Sequence, residues 1–330
     1  MSESLLFLVC VIIVAIGFGI ANGFNDAANS IATVIGTRSL SARKAVIMAA
    51  CCEFLGAATG TAVAITIGKG IVNSEFLSMS IVLAGAGSIV IWAVLATYYG
   101  MPISLTHGLV AGLVGAGIAN GGTSIIEWRV LGRVVSAVGI APLLGFTGGF
   151  LVMVAIMWIF QRSAPEKMRI PFRNLHIASA AFLAYSHGKN DGQMPIGLIA
   201  MALMAYSGSG QFIIPFWAVV VSAISISFGT AIGGWRVIST MGLKMTKLQP
   251  VQGFAATIAA ASVIESASHL GIPVSTTHCA STAIMGVGAT RRLSAVRWGI
   301  ARKIVMTWII TFPACAILGW LLATVLKLIS

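Results

Sequence analysis

The chain has 330 residues, 58% of them hydrophobic and 8% charged, with a formal net charge of +12. Soluble domains carry about 25% charge, so this composition excludes an ordinary soluble fold. The 20 Lys and Arg fall in short loops between apolar runs, which points to the positive-inside bias of membrane proteins and away from nucleic acid.

Stretches 76–126, 134–161, 192–235 and 304–326 hold no Asp, Glu, Lys or Arg. Runs of about 20 apolar residues read as membrane-spanning helices. They do not alternate apolar with polar residues, as barrel strands would. The cysteines Cys10, Cys51, Cys52, Cys279 and Cys315 lack metal-ligand spacing and read as small packing residues.

The first apolar run, residues 5–36, has no basic residue before it and reads as a first span rather than a signal peptide. At about 1.5 Å per residue it is too long for one straight crossing, so a break is predicted between Asn22 and Asn29. Within it lies GFNDAANS, where Asp26 is the first charge after Glu3. A basic loop with Arg38, Arg43 and Lys44 leads to a second segment, 45–68, containing Glu53. Lys69 separates it from a third, 79–99, and Pro102 opens a short Gly-rich helix. The fifth segment, 129–160, is predicted to be interrupted by Pro142. A basic linker, 161–173, divides the chain into a first unit, 1–160, and a second, 174–330. The second unit repeats the plan. Segment 174–205 contains SHGKNDGQ and is again too long to be unbroken; 212–234 follows, then a basic loop with Arg236, Lys244 and Lys247. Segment 248–269 contains Glu265, a second Pro-initiated short helix follows, and the last apolar segment comes after five basic residues in 290–303.

An internal repeat ties the units together. Pro102, Ser104, Thr106, His107, Gly115, Gly117, Pro142 and Gly148 each have an identical partner 171 residues later. Asn25-Asp26 recurs as Asn190-Asp191, 165 residues on, and these are the only two Asp of the chain. Basic residues concentrate in loops whose counterparts in the other half are poor in them, so equivalent loops prefer opposite sides. The expected architecture is an all-α polytopic membrane protein. It has two inverted repeats of about five crossings each, broken and short helices meeting at the midplane, both termini outside and the linker cytoplasmic. Arg129 and Arg133 do not fit the charge rule, because they fall near the outer face; interfacial snorkelling is the account the sequence offers.

An ionisable group at membrane depth is a functional-site candidate by default. The competing reading, an Asp capping a helix break, weakens when the same Asn-Asp dipeptide occurs twice. The PISLTH and PVSTTH elements each begin a helix, whose unpaired N–H groups and positive end suit an oxyanion. Ser104, Thr106, Ser275, Thr276 and Thr277 add hydroxyl donors. Asp26 and Asp191 do not suit an anion; they read as cation holders, with Asn side chains and freed carbonyls as further oxygen ligands. Bound cations offset both the carboxylates and the anion, a physical basis for coupled transport. His107 and His278 either orient the hydroxyls, take part in proton coupling, or are hydrogen-bonded structure. Glu53 and Glu265 are intramembrane too but do not align in the repeat.

These residues resemble those of the inorganic phosphate transporter (PiT) family. The likeness rests on NGFNDAANSIAT, HGKNDGQ, PISLTHGLVAGLVGAG and the stretch from LQPVQGFAATIAAASVIES to PVSTTHCASTAIMGVG, and covers nearly the whole chain. It implies ion-coupled uptake of inorganic phosphate across the plasma membrane, which is the inner membrane in a bacterium. Both termini lie outside, lipid surrounds the protein, and family members often pair as homodimers. By the resemblance Asp26 and Asp191, with Asn22 and Asn29, serve the coupling ion, Na+ or H+. Asn25 and Asn190, with Ser104, Thr106, Ser275, Thr276 and Thr277, serve phosphate. Four positions depart from the family pattern: Leu105 in place of Thr, Thr257 in place of Glu, Met194 in place of Lys, and Lys189 beside Asn190. Lys189 could pair with Asp191 or the anion. No cofactor is implied. A sulfate transporter of the same family stays open, as do an anion channel and an intramembrane enzyme using Asp26 and Asp191 as a dyad. The channel gives no reason for paired acidic residues, and the enzyme none for duplicated Ser-Thr-His helices.

Overall fold

The computed structural model describes residues 5–208, 210–246 and 248–329; Lys247 of the basic loop lies outside the described residues. The first half contributes α1 (Leu5–Gly36), α2 (Ala42–Ala57), α3 (Ala62–Gly70), α4 (Met79–Tyr98), α5 (Leu105–Gly121) and α6 (Trp128–Ile159). The second contributes α7 (Pro165–Asp191), α8 (Gln193–Ser207), α9 (Phe216–Ile232), α10 (Trp235–Ser239), α11 (Pro250–His269), α12 (Thr276–Ala289) and α13 (Trp298–Ile329). Among the described residues the only β pairing is one bridge, Val72 with Ile126.

Four helices, α1, α4, α6 and α13, are each long and apolar enough to cross a membrane, and the bent pairs α2–α3 and α9–α10 raise that to six. The 66° bend divides segment 45–68, which the sequence reads as single, and the 62° bend falls at the end of segment 212–234. The total is below ten because α5, α8 and α12 have 17, 15 and 14 residues, short of the roughly 20 that a full crossing needs, and because α7 and α11, of 27 and 20 residues, are not apolar enough to count. Aliphatic and aromatic side chains such as Leu143, Trp158, Phe216 and Ile309 stand exposed on the outside of the bundle. In water such a surface would aggregate; facing lipid it is the stable arrangement.

Three sequence expectations are corrected. No break occurs between Asn22 and Asn29, because α1 is one helix of 32 residues. Asn22, Asn25, Asp26 and Asn29 recur at helical spacing and are all buried, so an unbroken helix already presents them on one face. The equivalent break in the second half does occur, at Gly192 between α7 and α8. Pro142 does not interrupt α6, and Pro313 lies likewise inside α13; membrane helices tolerate the lost N–H where neighbours repack around it. The linker 161–173 is largely helical, since α7 starts at Pro165.

The two halves interlock. The hairpin α4–α5 packs α5 against α13, and the hairpin α11–α12 packs α12 against α6; α1 packs against α9 and α7 against α2. All four crossings close on glycine, and two of these glycines lie beside the Asp residues. A Cβ on Gly23 would strike the Ile226 carbonyl of α9, and a Cβ on Gly188 would strike the backbone of Glu53 in α2. Each glycine lies three residues before its Asp, so close backbone approach brings both carboxylates inward.

Two apolar cores result, each built from both halves. The α1 residues Leu8 to Ala21 belong to one core, and those from Ala27 onward belong to the other. Leu183 and Ala184 of α7 lie in the second core and Met194 of α8 in the first. The polar residues around Asp26 and Asp191 therefore occupy the boundary between cores.

The hairpin tips are built alike. Gly100 and Gly271, 171 residues apart, have φ of 68° and 66°, a left-handed conformation that only glycine adopts freely. The Gly271 carbonyl accepts a hydrogen bond from Thr66 Oγ1 at 2.7 Å, and the Gly100 carbonyl accepts one from Thr240 Oγ1 at 3.1 Å.

Candidate functional site

At the boundary between the cores, α12 begins with Ser275 as its N-cap, accepting from the His278 backbone N–H at 3.2 Å. The next two residues, Thr276 and Thr277, face the carboxylates. Thr276 Oγ1 lies 3.2 Å from Asp26 Oδ2 and 3.2 Å from Asp191 Oδ2, and Thr277 Oγ1 lies 3.1 Å from Asp26 Oδ1. A hydroxyl has one proton, so Thr276 donates to one carboxylate at a time. Asn29 Nδ2 donates to Thr277 Oγ1 at 3.0 Å and to Thr276 Oγ1 at 3.3 Å. All of these groups are at most 2% exposed. The two Asp from opposite halves thus share one threonine.

His187 of α7 is a member of this cluster that sequence reasoning missed. Its Nε2 lies 3.4 Å from Asp191 Oδ2 and 3.8 Å from Asp26 Oδ2, and its Nδ1 lies 3.0 Å from Glu53 Oε1. These are ion-pair contacts in which neither ring nitrogen is aligned as a hydrogen bond. The signal was available: His187 precedes Asp191 by four residues, and on a helix that spacing shares a face. Glu53 is fully buried and accepts a short hydrogen bond from Thr230 Oγ1 of α9, also 3.3 Å from the Gly23 carbonyl. Nothing in the sequence marked Thr230.

Other expected residues are spent differently. Ser104 caps α5, accepting from the His107 backbone N–H at 3.3 Å, and Thr106 Oγ1 donates to the Val274 carbonyl at 3.1 Å. Leu105 is buried in an apolar core. Asn25 donates to Thr97 Oγ1 at 2.6 Å. Asn190 braces the α11–α12 tip: its amide donates to Ser268 at 2.9 Å and to the Ile272 carbonyl at 3.3 Å, and its oxygen accepts from the Val274 N–H at 3.3 Å. Lys189 does not pair with Asp191. It forms an ion pair with Glu265 and lies 3.1 Å from His269 Nε2, because its side chain leaves α7 toward α11. Thr257 bonds Ser179 and the Gly253 carbonyl, away from the carboxylates. His107 and His278 do not orient the hydroxyls. Their rings lie 4.9 Å apart and pack on Phe312 and Trp308.

Several buried oxygens near the carboxylates have no hydrogen-bond partner: Asp191 Oδ1, Asn29 Oδ1, Asn25 Oδ1 and Asn22 Oδ1. Buried polar atoms are nearly always satisfied, so such a set marks where something binds. A hard cation takes oxygen ligands of this kind. Asp26, His187 and Asp191 also come close enough together to hold one ion.

The fold and site define a polytopic helical membrane protein with a charged, hydroxyl-lined centre at the junction of its two halves. Residues 22–319 match the phosphate transporter family. The chain is 42% identical over 315 residues to a probable low-affinity inorganic phosphate transporter of Rhizobium meliloti (strain 1021), covering 94% of each chain. It is 37% identical over 328 residues to a protein of the same description from Bacillus subtilis (strain 168), covering 98% of each. Its fold is similar to a solved structure described as the sodium-dependent phosphate transporter, with TM-score 0.92 and 28% identity, covering 99% of this chain and 100% of that one. The chain belongs to the phosphate transporter family. These relatives are transporters, which sets aside the intramembrane enzyme.

Proposed function

We propose that this protein is a secondary transporter that carries inorganic phosphate across the plasma membrane together with a cation, bound where Thr276 joins Asp26 to Asp191. That shared threonine is the observation that carries the reading. With the carboxylates free, Thr276 and Thr277 give their protons to Asp26 and Asp191. A cation taking over the carboxylate oxygens releases those protons, and the hydroxyls turn to donate to an anion at the amino end of α12. Cation binding thereby makes the anion site, so neither ion is well bound alone and transport is coupled. Phosphate is favoured over sulfate because a protonated phosphate oxygen can donate to a neighbouring carboxylate, which a sulfate dianion cannot. Sodium is the proposed coupling ion, supported by the oxygen-rich donor set and by the description of the solved relative. His187, facing both carboxylates, favours proton coupling as the second reading.

The halves are inverted in this reading, with both termini outside. Alternating access follows from releasing one hairpin tip at a time, α11–α12 on the outer side and α4–α5 on the inner. A cavity of about 460 Å³ lined by Phe24, Thr97, Tyr98 and Arg236 lies beside the inner tip.

The deciding experiment is uptake into proteoliposomes, with phosphate and sulfate each offered under separate sodium and proton gradients. Phosphate accumulation driven by a sodium gradient is expected. Uptake that no cation gradient drives would mean a channel, and accumulation of sulfate alone would overturn the substrate.

A further inference from the structure

Lys69 and Arg133 sit where the charge rule disfavours them, on the proposed outer face. Both line one cavity of about 300 Å³, enclosed by α3, the amino end of α6 and the α11–α12 tip. Its other walls include Thr66, Leu270, Gly271 and Pro273, and no carboxylate lines it. Neither cation has an ion pair among the described residues. Lys69 is held with its ammonium 5.5 Å from the centre of the Phe212 ring. Thr66 is the residue that fastens the tip through the Gly271 carbonyl. Both cations face one hollow with no carboxylate in its wall, and a cleft lined by one sign of charge concentrates its counter-ion.

We propose that Lys69 and Arg133 form a second, outer site for a phosphate group, at the tip that opens toward Thr276. The occupant is a tetrahedral oxyanion bearing at least one negative charge, either free inorganic phosphate waiting to enter or the headgroup phosphate of a membrane lipid. As a waiting site it rests on the transport reading above. It explains why these cations lie outside, against the bias of the remaining loops. Its position also links occupancy to opening, because the ligand touches the loop that must move.

The test compares the parent with Lys69→Gln/Arg133→Gln and with the charge-conserving Lys69→Arg/Arg133→Lys. Radiolabelled phosphate uptake is measured in phosphatidylcholine proteoliposomes at low and high salt. For a waiting site, the Gln pair lowers kcat/KM roughly tenfold at low salt, kcat is unchanged and high salt closes the gap. The charge-conserving pair behaves like the parent, which separates lost charge from misfolding. Native mass spectrometry of the same detergent-purified proteins counts retained phosphatidylglycerol. Equal retention with altered uptake assigns the site to free phosphate; a lipid lost from the Gln pair with unaltered uptake assigns it to a headgroup. If neither quantity moves, or the charge-conserving pair fails as badly as the Gln pair, the proposal is overturned. A parent that takes up no phosphate sinks the transport reading, while the retention measurement still decides the site.

Discussion

The amino ends of α5 and α12 begin alike, with a serine cap followed two and three residues later by Thr and His, yet only α12 touches the carboxylates. Thr276 and Thr277 meet Asp26 and Asp191, whereas Thr106 is turned to the Val274 carbonyl and Leu105 is packed in a core. The two similar helix starts play different parts: α12 presents its threonines to the carboxylates, while the Thr106 bond to the Val274 carbonyl braces the segment leading into Ser275. Equivalent sequence positions in a repeat therefore need not hold equivalent chemistry.

The largest effect expected of any change here comes from the carboxylates. Asp26→Asn or Asp191→Asn removes the charge on which the proposed cation site rests and keeps the shape, so coupled uptake is expected to fall at least about a hundredfold. Insertion and detergent stability, checked by size-exclusion chromatography, stay near parental. Ion-dependent uptake at parental rates in both variants would sink the coupling role.

Next comes the contrast between the two threonines. A hydrogen bond to a charged group contributes about 1.5–3 kcal/mol, so Thr276→Val is expected to weaken phosphate binding by roughly tenfold to a hundredfold. Thr106→Val should change it by less than about threefold, since only a neutral backbone bond is lost. Calorimetric titration of both in detergent at fixed salt measures the ratio. A reversed order would make α5 the site.

Leu105→Thr gives a smaller and different signal. The family pattern suggests a restored donor, but Leu105 is 1% exposed within an apolar core. Affinity should stay unchanged while the melting temperature drops, because a buried hydroxyl replaces packed methyl groups. Tighter phosphate binding would show that the side chain reaches the anion after all.

The smallest perturbation tests the inverted relation of the halves. On a background without cysteine, Ser124→Cys should react only with reagent outside the vesicle-oriented cell, and Ser163→Cys only after permeabilisation; both positions are exposed. Labelling of both from one side rejects the inverted arrangement.

Much of this was legible in the sequence because burial of charge is so costly in a membrane. Two Asp in an otherwise apolar chain, each after Asn, marked the two carboxylates that the structure brings together at Thr276. The hydroxyls were identified by type but not by direction, since a serine cap and a ligand-facing threonine look the same in a string of letters. His187 is hard to see in the sequence because its link to Asp191 runs around the helix, four residues apart, and not along the chain. The break assigned to α1 failed for a related reason: length was weighed, but not the fact that side chains four residues apart already meet.

Thr66 and Thr240 fasten the tips at Gly271 and Gly100 with one hydroxyl bond each. Neutral bonds of this sort contribute about 1 kcal/mol net, little more than the thermal energy of the chain. These weak fasteners sit beside further braces, Asn190 at the α11–α12 tip and Arg236 on the Tyr98 carbonyl at the α4–α5 tip, so in the proposed carrier they tune how readily each tip opens, while the concentrations on the two sides set the sense of net flow. In the proposed carrier, removing one threonine and keeping the other would shift the resting balance between the two faces and the rate of opening at each, and leave the equilibrium distribution of the transported ions unchanged.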